Sequence, residues 1–364
     1  MLYFLFTTTK CNLKCAYCED FPHKQMPAKV EYSLSDLQQF IAGDPDPVFV
    51  FYGGEPLINI PYIKEVMDTF DADFVLQSNV TLLDRLPDEY LQRLKSILVS
   101  IDGRPETYDQ YRGAGMYAKV MRQCQNARER GYQNDLVARM TVSSRSDVYA
   151  EVHHLLYDSP VRFDHVYWQL DAGFDGEMSM RWDSFENWLD NSYKPGLTRL
   201  TDEWLADMQT ESTARGIVPF LGIMHSLNAG TPEHLPIRCG IGHNAFAVAT
   251  DGKLMGCPVA TGDDWNQLGH LHHDSCQDLT GRLEPKGPCE TCDIRHICGG
   301  RCLIATHNNY WGTNGFDLVC ASIRHLVHEM ERIQPAVQEL VQTHTRIADA
   351  FQYPATRWSL EVIP

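Results

Sequence analysis

The stretch that decides the fold is LYFLFTTTKCNLKCAYC, residues 2–18, in which an apolar run leads directly into three cysteines. The run at residues 2–9 is apolar without strict alternation, a pattern typical of a β-strand that is covered on both faces. Cys11, Cys15 and Cys18 follow it with the spacing C-x3-C-x2-C. We therefore expect three thiolates on one loop at the end of a buried strand, where they can converge on a metal centre.

Five more runs of this kind, separated by helix-like segments, continue the pattern. The strand-like runs lie at residues 47–53, 73–79, 96–102, 135–142 and 163–170. The helix-like segments are Ser35–Gln38, which has the spacing of a capping box, Tyr62–Phe70, Asp88–Lys95, Met116–Arg130 with Gly131 as its C-cap, and Asp147–Tyr157. This alternation predicts the α/β class, as a partial (β/α)6 TIM-like barrel with its active site at the carboxyl ends of the strands.

Composition and charge narrow the class of protein. The chain has 364 residues, of which 43% are hydrophobic and 22% charged, which is ordinary for a globular protein with a large core. The formal net charge is −17, a poor match for a phosphate backbone, so nucleic-acid partners are disfavoured. The sequence has neither an apolar run long enough to span a membrane nor the pattern of a signal peptide. We therefore expect a cytoplasmic protein with no membrane partner.

The 12 cysteines are clustered, which in a reducing compartment indicates metal binding or redox chemistry rather than disulfides. Eight of them lie between residues 239 and 320. Apart from Cys276, the cysteines of this set are Cys239, Cys257, Cys289, Cys292, Cys298, Cys302 and Cys320. The spacing suits two metal centres, and either a two-zinc module or iron–sulfur clusters would satisfy it. The N-terminal trio is likewise compatible with a structural zinc loop when spacing alone is considered.

Changes in composition and in hydrophobic pattern along the chain predict four structural regions. Residues 1–173 form the barrel and residues 174–235 a bridging helical segment, with helix-like stretches at Phe185–Asn191 and Glu203–Arg215. Residues 236–325 are rich in Gly, Cys and His, so we expect a loop-rich domain that is organised by metal. Residues 326–364 form a C-terminal helix and tail, because a helical pattern runs through 321–348.

Tyr17 completes the motif C-x3-C-x-aromatic-C, and with it the chain resembles the radical S-adenosylmethionine (SAM) superfamily. Further landmarks of that family follow in order at strand ends: Gly53-Gly54-Glu55-Pro56, Asn79, Ser100-Ile101-Asp102-Gly103, Tyr111-Arg112-Gly113, Arg139 and Gln169. The C-terminal cysteines, with Gln267–Leu271 between their halves, resemble the SPASM domain of such enzymes.

The resemblance implies a set of SAM contacts and a first cluster. It places a SAM-binding 4Fe–4S cluster on Cys11, Cys15 and Cys18. It implies cofactor contacts from Tyr17, Gly53, Gly54, Glu55, Pro56, Asn79, Ser100, Arg139 and Gln169. Glu55 would accept from the ammonium of SAM and Arg139 would contact its carboxylate, although a strand arginine could equally be a surface ion-pair partner. Asp102 is the candidate catalytic residue.

The SPASM resemblance implies two auxiliary 4Fe–4S clusters, giving three in all. Cys239, Cys257 and Cys302 are assigned to the first and Cys289, Cys292, Cys298 and Cys320 to the second. The first lacks a fourth thiolate, because the stretch 240–247 contains no cysteine. We expect Cys276, in a short helix at 275–279, and Cys124 to be packing residues. His243, His270, His272 and His273 are expected at the surface.

The resemblance also implies the reaction. SAM is cleaved reductively to a 5′-deoxyadenosyl radical, which abstracts hydrogen from a peptide or protein, and we expect the maturation of a ribosomally synthesised peptide through a cross-link such as a thioether, or through oxidation. The reductant would be a protein such as ferredoxin or flavodoxin. Cys11 lies ten residues from the first residue, so we expect leader recognition by a separate protein or by residues 174–235.

Three alternatives remain open. Sulfatase-maturating enzymes carry an aspartate base immediately after the cysteine that corresponds to Cys257, and this chain has Pro258 there, which disfavours that reaction. An RNA-modifying radical enzyme is disfavoured by the charge of −17. A non-enzymatic iron–sulfur or zinc protein would need only the cysteine spacing.

Overall fold

A computed structural model describes residues 1–18, 26–171, 182–228, 237–309, 311–358 and 363–364. Within these ranges, ten strands form one sheet in the order β10-β9-β8-β1-β2-β3-β4-β5-β6-β7. The strands are β1 Leu2–Thr8, β2 Val48–Gly53, β3 Asp73–Ser78, β4 Leu94–Ser100, β5 Asp135–Val142, β6 His165–Leu170, β7 Gly216–Ile217, β8 Ala245–Val248, β9 Lys253–Met255 and β10 Gln267–His270.

The pairing along the sheet is largely parallel. Each strand from β1 to β7 pairs in parallel with the next, and β8 pairs in parallel with the free side of β1, so that Leu2 lies opposite Ala245. β9 and β10 extend that side of the sheet as antiparallel strands. The predicted α/β class is confirmed, and all six predicted strands are present, with β4 starting two residues earlier than expected.

Helices follow most of the strands and cover the sheet. They are α1 Leu34–Ile41, α2 Ile60–Thr69, α3 Asp88–Leu91, α4 Pro105–Arg112, α5 Met116–Glu129, α6 Val148–His153, α7 Phe185–Trp188, α8 Lys194–Glu211, α9 Val218–Asn228, α10 Cys276–Leu279, α11 Arg295–Cys298, α12 Leu303–Asn308, α13 Gly312–Thr343 and α14 Thr345–Ala350. The long helix α13 packs against α8 and α9. None of the helices in the described ranges is long and apolar enough to cross a membrane.

The first helix begins at a different serine from the one that the sequence suggests. Ser33, not Ser35, is the N-cap of α1, because its Oγ accepts from the Asp36 N–H at 3.2 Å while the Asp36 carboxylate accepts from the Ser33 N–H at 3.1 Å. This reciprocal pair satisfies two backbone donors at the start of the helix. The hydroxyl of Ser35 is within 2.7 Å of the Ser33 hydroxyl instead.

Several helix bounds differ from the predictions. The segment predicted at 88–95 is helical only over α3, since the chain must extend by Leu94 to enter β4. The helix predicted at 203–215 begins nine residues earlier, at Lys194, and the short helices α4 and α9 were not predicted. The four-part division of the chain stays a prediction. Parts of the bridging segment, 174–181 and 229–235, lie outside the described residues, and the sheet itself continues into 236–325 through β8, β9 and β10.

Burial along the strands explains the apolar runs and locates the polar lumen of the barrel. All seven residues of β1 are buried, as expected for a strand with pairing partners on both sides and side chains covered on both faces. β5 alternates toward its carboxyl end, where Arg139 and Thr141 are half-buried and Met140 and Val142 are buried. One face of the sheet therefore becomes polar and accessible near the strand ends, where the sequence predicts the active site.

Candidate functional site

The three N-terminal cysteines lie on a loop that directly follows β1, which we call the cysteine loop (residues 9–18). Cys11 and Cys18 are exposed and Cys15 is half-buried. The loop is tied internally by the Cys18 N–H, which donates to the Cys15 carbonyl at 3.1 Å. The Ala16 N–H donates to the Tyr111 carbonyl at 2.7 Å, which attaches the loop to the barrel. The loop thus presents two exposed cysteines and one half-buried cysteine at the carboxyl end of β1.

The carboxyl end of β2 supports the base of this loop. The Gly54 N–H donates to the Thr8 carbonyl at 3.0 Å, and the Glu55 N–H donates to the Lys10 carbonyl at 2.8 Å. A Cβ on Gly54 would lie 2.3 Å from the Lys10 oxygen, and Gly53 has φ +134° with its Cβ position 2.2 Å from the Thr8 oxygen. Both positions therefore require glycine, because the backbone of β2 approaches the cysteine loop this closely.

The Glu55 side chain is turned into the protein. It is fully buried, and its carboxylate accepts from the Leu57 N–H at 3.1 Å, the Ser78 hydroxyl at 2.7 Å and the Asn79 N–H at 2.9 Å. Burial raises the pKa of Glu55 to about 7, against the lowering effect of these three hydrogen bonds. Contact with the ammonium of SAM stays a prediction for Glu55; the geometry shows that it joins β2 to β3.

Asn79 connects the end of β3 to the cysteine loop. Its amide nitrogen donates to the Asn12 side-chain oxygen at 3.0 Å and lies 4.0 Å from the Cys11 sulfur. Asn12 in turn donates to the Thr81 hydroxyl at 2.8 Å. Asn79 is thus within reach of a group bound at the loop, and its role as a cofactor contact remains a prediction.

The candidate catalytic residue Asp102 lies in a buried cluster with Tyr17, Arg112 and Thr141, which we call the Asp102 cluster. Its carboxylate is fully buried and accepts from the Tyr17 hydroxyl at 2.6 Å and from the Thr141 N–H at 2.9 Å. Arg112 donates to both carboxylate oxygens, at 2.7 and 2.9 Å. With four donors and no exposed surface, Asp102 is placed to hold other residues in position, and its catalytic role stays a prediction.

The face of the sheet that points into the barrel is polar at the carboxyl ends of β4, β5 and β6, and we call it the lumen face. Ser100, Arg139 and Tyr167 lie side by side in register on β4, β5 and β6, and Thr141 is paired with Gln169 one layer higher. Partners in register on parallel strands share one face of a sheet. Three predicted cofactor contacts, Ser100, Arg139 and Gln169, are therefore brought together.

Arg139 has unused hydrogen-bonding capacity on this face. Its Nη2 donates to the Gln169 side-chain oxygen at 3.2 Å, whereas its Nε–H is buried without a hydrogen-bond partner among the described residues. A buried guanidinium donor without an acceptor is costly, and a carboxylate is the group that matches its planar fork best. The site therefore fits an anionic group of a small ligand at Arg139.

Other residues on the same face were not predicted. Tyr52, Gln77 and Thr141 are half-buried, and strand alternation places them with Ser100 and Arg139. Each of them interrupts an apolar strand run with a polar side chain. That interruption near a strand end was the signal that could have identified them.

Four C-terminal cysteines line one cavity, which we call the cysteine pocket. They are Cys289, Cys292, Cys298 and Cys320, the set that the resemblance assigns to the second auxiliary cluster. Cys289 and Cys298 are buried, and burial raises the pKa of Cys298 to about 12 and that of Cys320 to about 11. These thiols are therefore costly to ionise unless a positive charge lies beside them.

For the remaining three ligand candidates, Cys239, Cys257 and Cys302, a shared cluster stays a prediction. Cys257 is buried, and the Val259 N–H lies 3.4 Å from its sulfur. The fully buried Asn266 side chain holds the Cys257 backbone: it accepts from the Cys257 N–H at 2.6 Å and donates to the Cys257 carbonyl at 2.8 Å.

The two cysteines expected to be packing residues are both buried in helices. Cys276 lies in α10 beside Tyr3 of β1, and Cys124 lies in α5, where burial raises its pKa to about 12. Both positions agree with the predicted packing roles.

The histidines divide into two kinds. His272 and His273 are exposed, as expected. His243 and His270 are half-buried, and each has a ring nitrogen on a backbone carbonyl, at 2.6 Å to Leu283 and 3.1 Å to Asp251. For this second pair the surface expectation was wrong, because the rings help to hold the turns of the C-terminal region.

The cysteine geometry also bears on the zinc alternatives. Within the part of the chain that the structure describes, no three His, Cys, Asp or Glu side chains converge in a way that would hold a single metal ion. A structural zinc ion binds its thiolates at about 2.3 Å and needs them gathered around one point. Cysteines spread around a cavity suit a larger group, as an iron–sulfur cluster is.

Comparison with known proteins identifies the domain that carries the cysteine loop. A model of the Radical SAM superfamily matches residues 5–152, from β1 to α6. Residues 5–152 form a radical SAM domain. A radical SAM domain implies SAM and a 4Fe–4S cluster as cofactors. An uncharacterized protein of Archaeoglobus fulgidus is 26% identical over 322 residues, which cover 81% of this chain and 72% of that protein.

Solved structures extend the likeness beyond the radical SAM domain. The structure of anSMEcpe with bound AdoMet and Cp18Cys peptide has a TM-score of 0.70 at 19% identity and covers 95% of this chain and 99% of its own. Streptococcus suis SuiB bound to its precursor peptide SuiA has a TM-score of 0.55 at 13% identity, covering 83% and 72%. At these identities the likeness shows the fold, and it confirms the TIM-like barrel with a C-terminal extension.

Proposed function

We propose that this protein is a radical SAM enzyme that abstracts hydrogen from a peptide or protein and so matures a ribosomally synthesised peptide. The observation that carries the proposal is the position of the cysteine loop, at the same end of the sheet as the lumen face on which Arg139 keeps a buried N–H without a partner. Three cysteine thiols and a guanidinium with one unpaired N–H lie at one end of the barrel. They suit a ligand that has both a metal-binding group and a carboxylate.

Each residue has a role that follows from its placement. Cys11, Cys15 and Cys18 would hold the SAM-binding cluster, and Arg139 would hold the carboxylate of SAM, with Gln169 keeping the guanidinium in orientation. When bound, the cluster and SAM together supply a 5′-deoxyadenosyl radical, which is the hydrogen-abstracting species of this chemistry. The lower layers of the lumen are closed by buried side chains such as Phe4 and Val137, which exclude water from beneath the reacting position.

A peptide or protein substrate is supported by two kinds of observation. Both solved structures named above were determined with a bound peptide, Cp18Cys in anSMEcpe and SuiA in SuiB. In this chain the accessible lumen carries uncharged polar side chains, namely Tyr52, Gln77, Thr141 and Gln169, on the same face as Arg139. Such side chains can hydrogen-bond a peptide backbone without selecting a charged small molecule.

The C-terminal cysteines add two auxiliary centres to the proposal, one at the cysteine pocket and one on Cys239, Cys257 and Cys302. The centre on Cys239, Cys257 and Cys302 would have three thiolates. It would therefore leave a position at which a substrate thiol could bind during thioether formation. The residue after Cys257 is the half-buried Pro258, which supplies no base, and this continues to disfavour oxidation of the sulfatase-maturating type. A ferredoxin- or flavodoxin-like protein is the expected reductant.

An anaerobic SAM-cleavage assay tests the proposal. The reconstituted chain, given SAM and dithionite, should release 5′-deoxyadenosine and should contain about 12 irons, as three four-iron clusters require. C11A should lose the release, and C124A should keep it because Cys124 is a buried packing residue. Release that is equal in C11A and the wild type, or about two zinc ions and no iron per chain, would overturn the proposal.

A further inference from the structure

We propose that Tyr17 is a positioning residue whose hydroxyl, through Asp102 and Arg112, fixes the geometry of the cysteine loop for metal and SAM binding. The inference rests on the proposed function, because it concerns the cluster that the loop would hold. It assigns a purpose to two buried charged side chains that otherwise have no place in the reaction.

Tyr17 lies between Cys15 and Cys18, so its position directly determines theirs. Its hydroxyl donates to Asp102 at 2.6 Å across 85 residues of sequence. Its ring lies against Tyr111, with ring centroids 5.5 Å apart, and Tyr111 also accepts the Ala16 N–H. Two neighbouring residues of the loop are therefore attached to the segment that follows β4, while Cys11 and Cys18 remain exposed.

Asp102 is a rigid anchor for this attachment. Besides the Tyr17 hydroxyl it accepts both N–H groups of Arg112 and the backbone N–H of Thr141 on β5. An ionised carboxylate offers about four acceptor sites, so all of its capacity is used. The carboxylate cannot turn toward a substrate without breaking charge-assisted bonds in a buried setting, which is why its role is positional.

Arg112 joins the anchor to the loop by a second route. Its side chain is only 8% exposed, and its guanidinium lies 5.3 Å from the centre of the Tyr17 ring and 5.4 Å from that of Tyr108. It also lies close enough to the Cys15 thiol to hydrogen-bond it. One fixed cation thus faces the tyrosine and lies near the central cysteine of the loop.

The same cation provides a matched control. The Tyr108 ring faces Arg112 at nearly the same distance as the Tyr17 ring, and Tyr108 is fully buried. Its hydroxyl has no hydrogen-bond partner in the described part of the chain. Y17F and Y108F therefore remove the same atom from the same arginine environment, and only Y17F removes a link to the cysteine loop.

The test compares the stability of the loop's cluster in the full-length chain. Wild type, Y17F and Y108F are reconstituted anaerobically and reduced with dithionite. The SAM-dependent change in the electron paramagnetic resonance spectrum identifies the cluster on the loop, and its decay is followed after addition of an iron chelator. A triple variant, C11A/C15A/C18A, provides the spectrum and iron content of the C-terminal centres alone. Circular dichroism confirms that each variant is folded.

Y17F should lose the SAM-responsive signal about tenfold faster than wild type, since a hydrogen bond to a charged group is worth about that factor. Y108F should decay at the wild-type rate. Equal decay in Y17F, Y108F and wild type would overturn the inference while leaving the proposed function intact. A triple variant that holds as much iron as wild type would overturn the proposed function and this inference together.

Discussion

Cys11 and Cys18 are exposed on a loop at the end of β1, whereas Cys289 and Cys298 are buried in a pocket of the C-terminal region. The loop is held from outside, by hydrogen bonds to the Glu55 N–H, to Asn79 and to Asp102. The pocket is instead enclosed by apolar side chains such as Val319 and Ile323, with arginines at its edge. One arrangement keeps the thiols accessible, and the other removes them from water.

The difference in the exposure of these cysteines predicts different functions for the two regions. A centre that must exchange a ligand in every reaction cycle needs an open side and a rigid support behind it. A centre that only stores or transfers an electron gains from enclosure, because burial and nearby charge set its reduction potential. The predictions below test this contrast, beginning with the largest expected effect.

C298A should abolish the centre in the cysteine pocket. We expect iron content to fall by about a third, from about 12 to about 8 per chain, because one four-iron cluster is lost. C276A removes a sulfur that is equally buried but lies in α10 beside Tyr3, and its iron content should equal that of the wild type. Iron loss in C276A would show instead that Cys276 is a ligand.

Glu55 should make the support of the cysteine loop sensitive to pH. Its pKa is raised to about 7 in the folded chain and is near 4.5 when unfolded, so its contribution to stability is complete below pH 4.5 and is lost as pH rises to 7. The free energy of unfolding falls by about 3 kcal/mol, because a shift of one pKa unit corresponds to about 1.36 kcal/mol. Denaturant unfolding at pH 5 and pH 8 should show this change in wild type but not in E55Q. Equal pH dependence in the two proteins would contradict it.

N266A should weaken the support of Cys257. The substitution leaves the Cys257 N–H and carbonyl and the Ala260 carbonyl without their partner, at a cost of about 2–3 kcal/mol. Iron content should fall as well. N134A is the control, because Asn134 donates to the carbonyls of Gln92 and Leu94 in the barrel. It should lower stability and leave the iron content unchanged.

R324Q should give the smallest effect. The Arg324 side chain is 47% exposed, pairs with Asp293 and donates to the Cys292 sulfur at 3.4 Å. An exposed pair contributes at most about 1 kcal/mol to stability, so iron content and folding should be unchanged. Removal of the positive charge should make the midpoint potential of the pocket centre more negative. R332Q, whose ion pairs involve Asp202 and Glu329, should leave that potential unaltered in redox titration.

The sequence predicted the six barrel strands well because their runs are long, apolar and bounded by polar turns. It did not predict α4, since the segment PETYDQYR is polar and its buried face includes Arg112, a residue type that normally lies at the surface. The strand β8 has only four residues in a region dominated by Gly and Cys, so its apolar run was too short to be identified. Its membership of the sheet depends on a pairing with β1 that no local pattern encodes.

Residues of the candidate site could be predicted where a sequence motif alone brings them together. The four cysteines that the resemblance assigns to one cluster line one cavity, and their role as its ligands stays a prediction. The role of Asp102 could not be predicted, because its donors come from Tyr17, Arg112 and Thr141, which only tertiary structure brings together. The motif suggested a catalytic role for Asp102, which stays a prediction, whereas its four hydrogen bonds place it as a support for other residues.

The pairing of β8 with β1 has a practical consequence for dissecting the molecule. Residues Leu2–Leu5 of β1 pair with Ala245–Val248, which belong to the C-terminal region. A fragment that ends at residue 173 would expose the backbone N–H and C=O groups on that side of a seven-residue apolar strand. Such an open edge is a template for intermolecular strand addition and aggregation. The two cysteine regions should therefore be separated by point substitution, because the barrel expressed by itself would self-associate along β1.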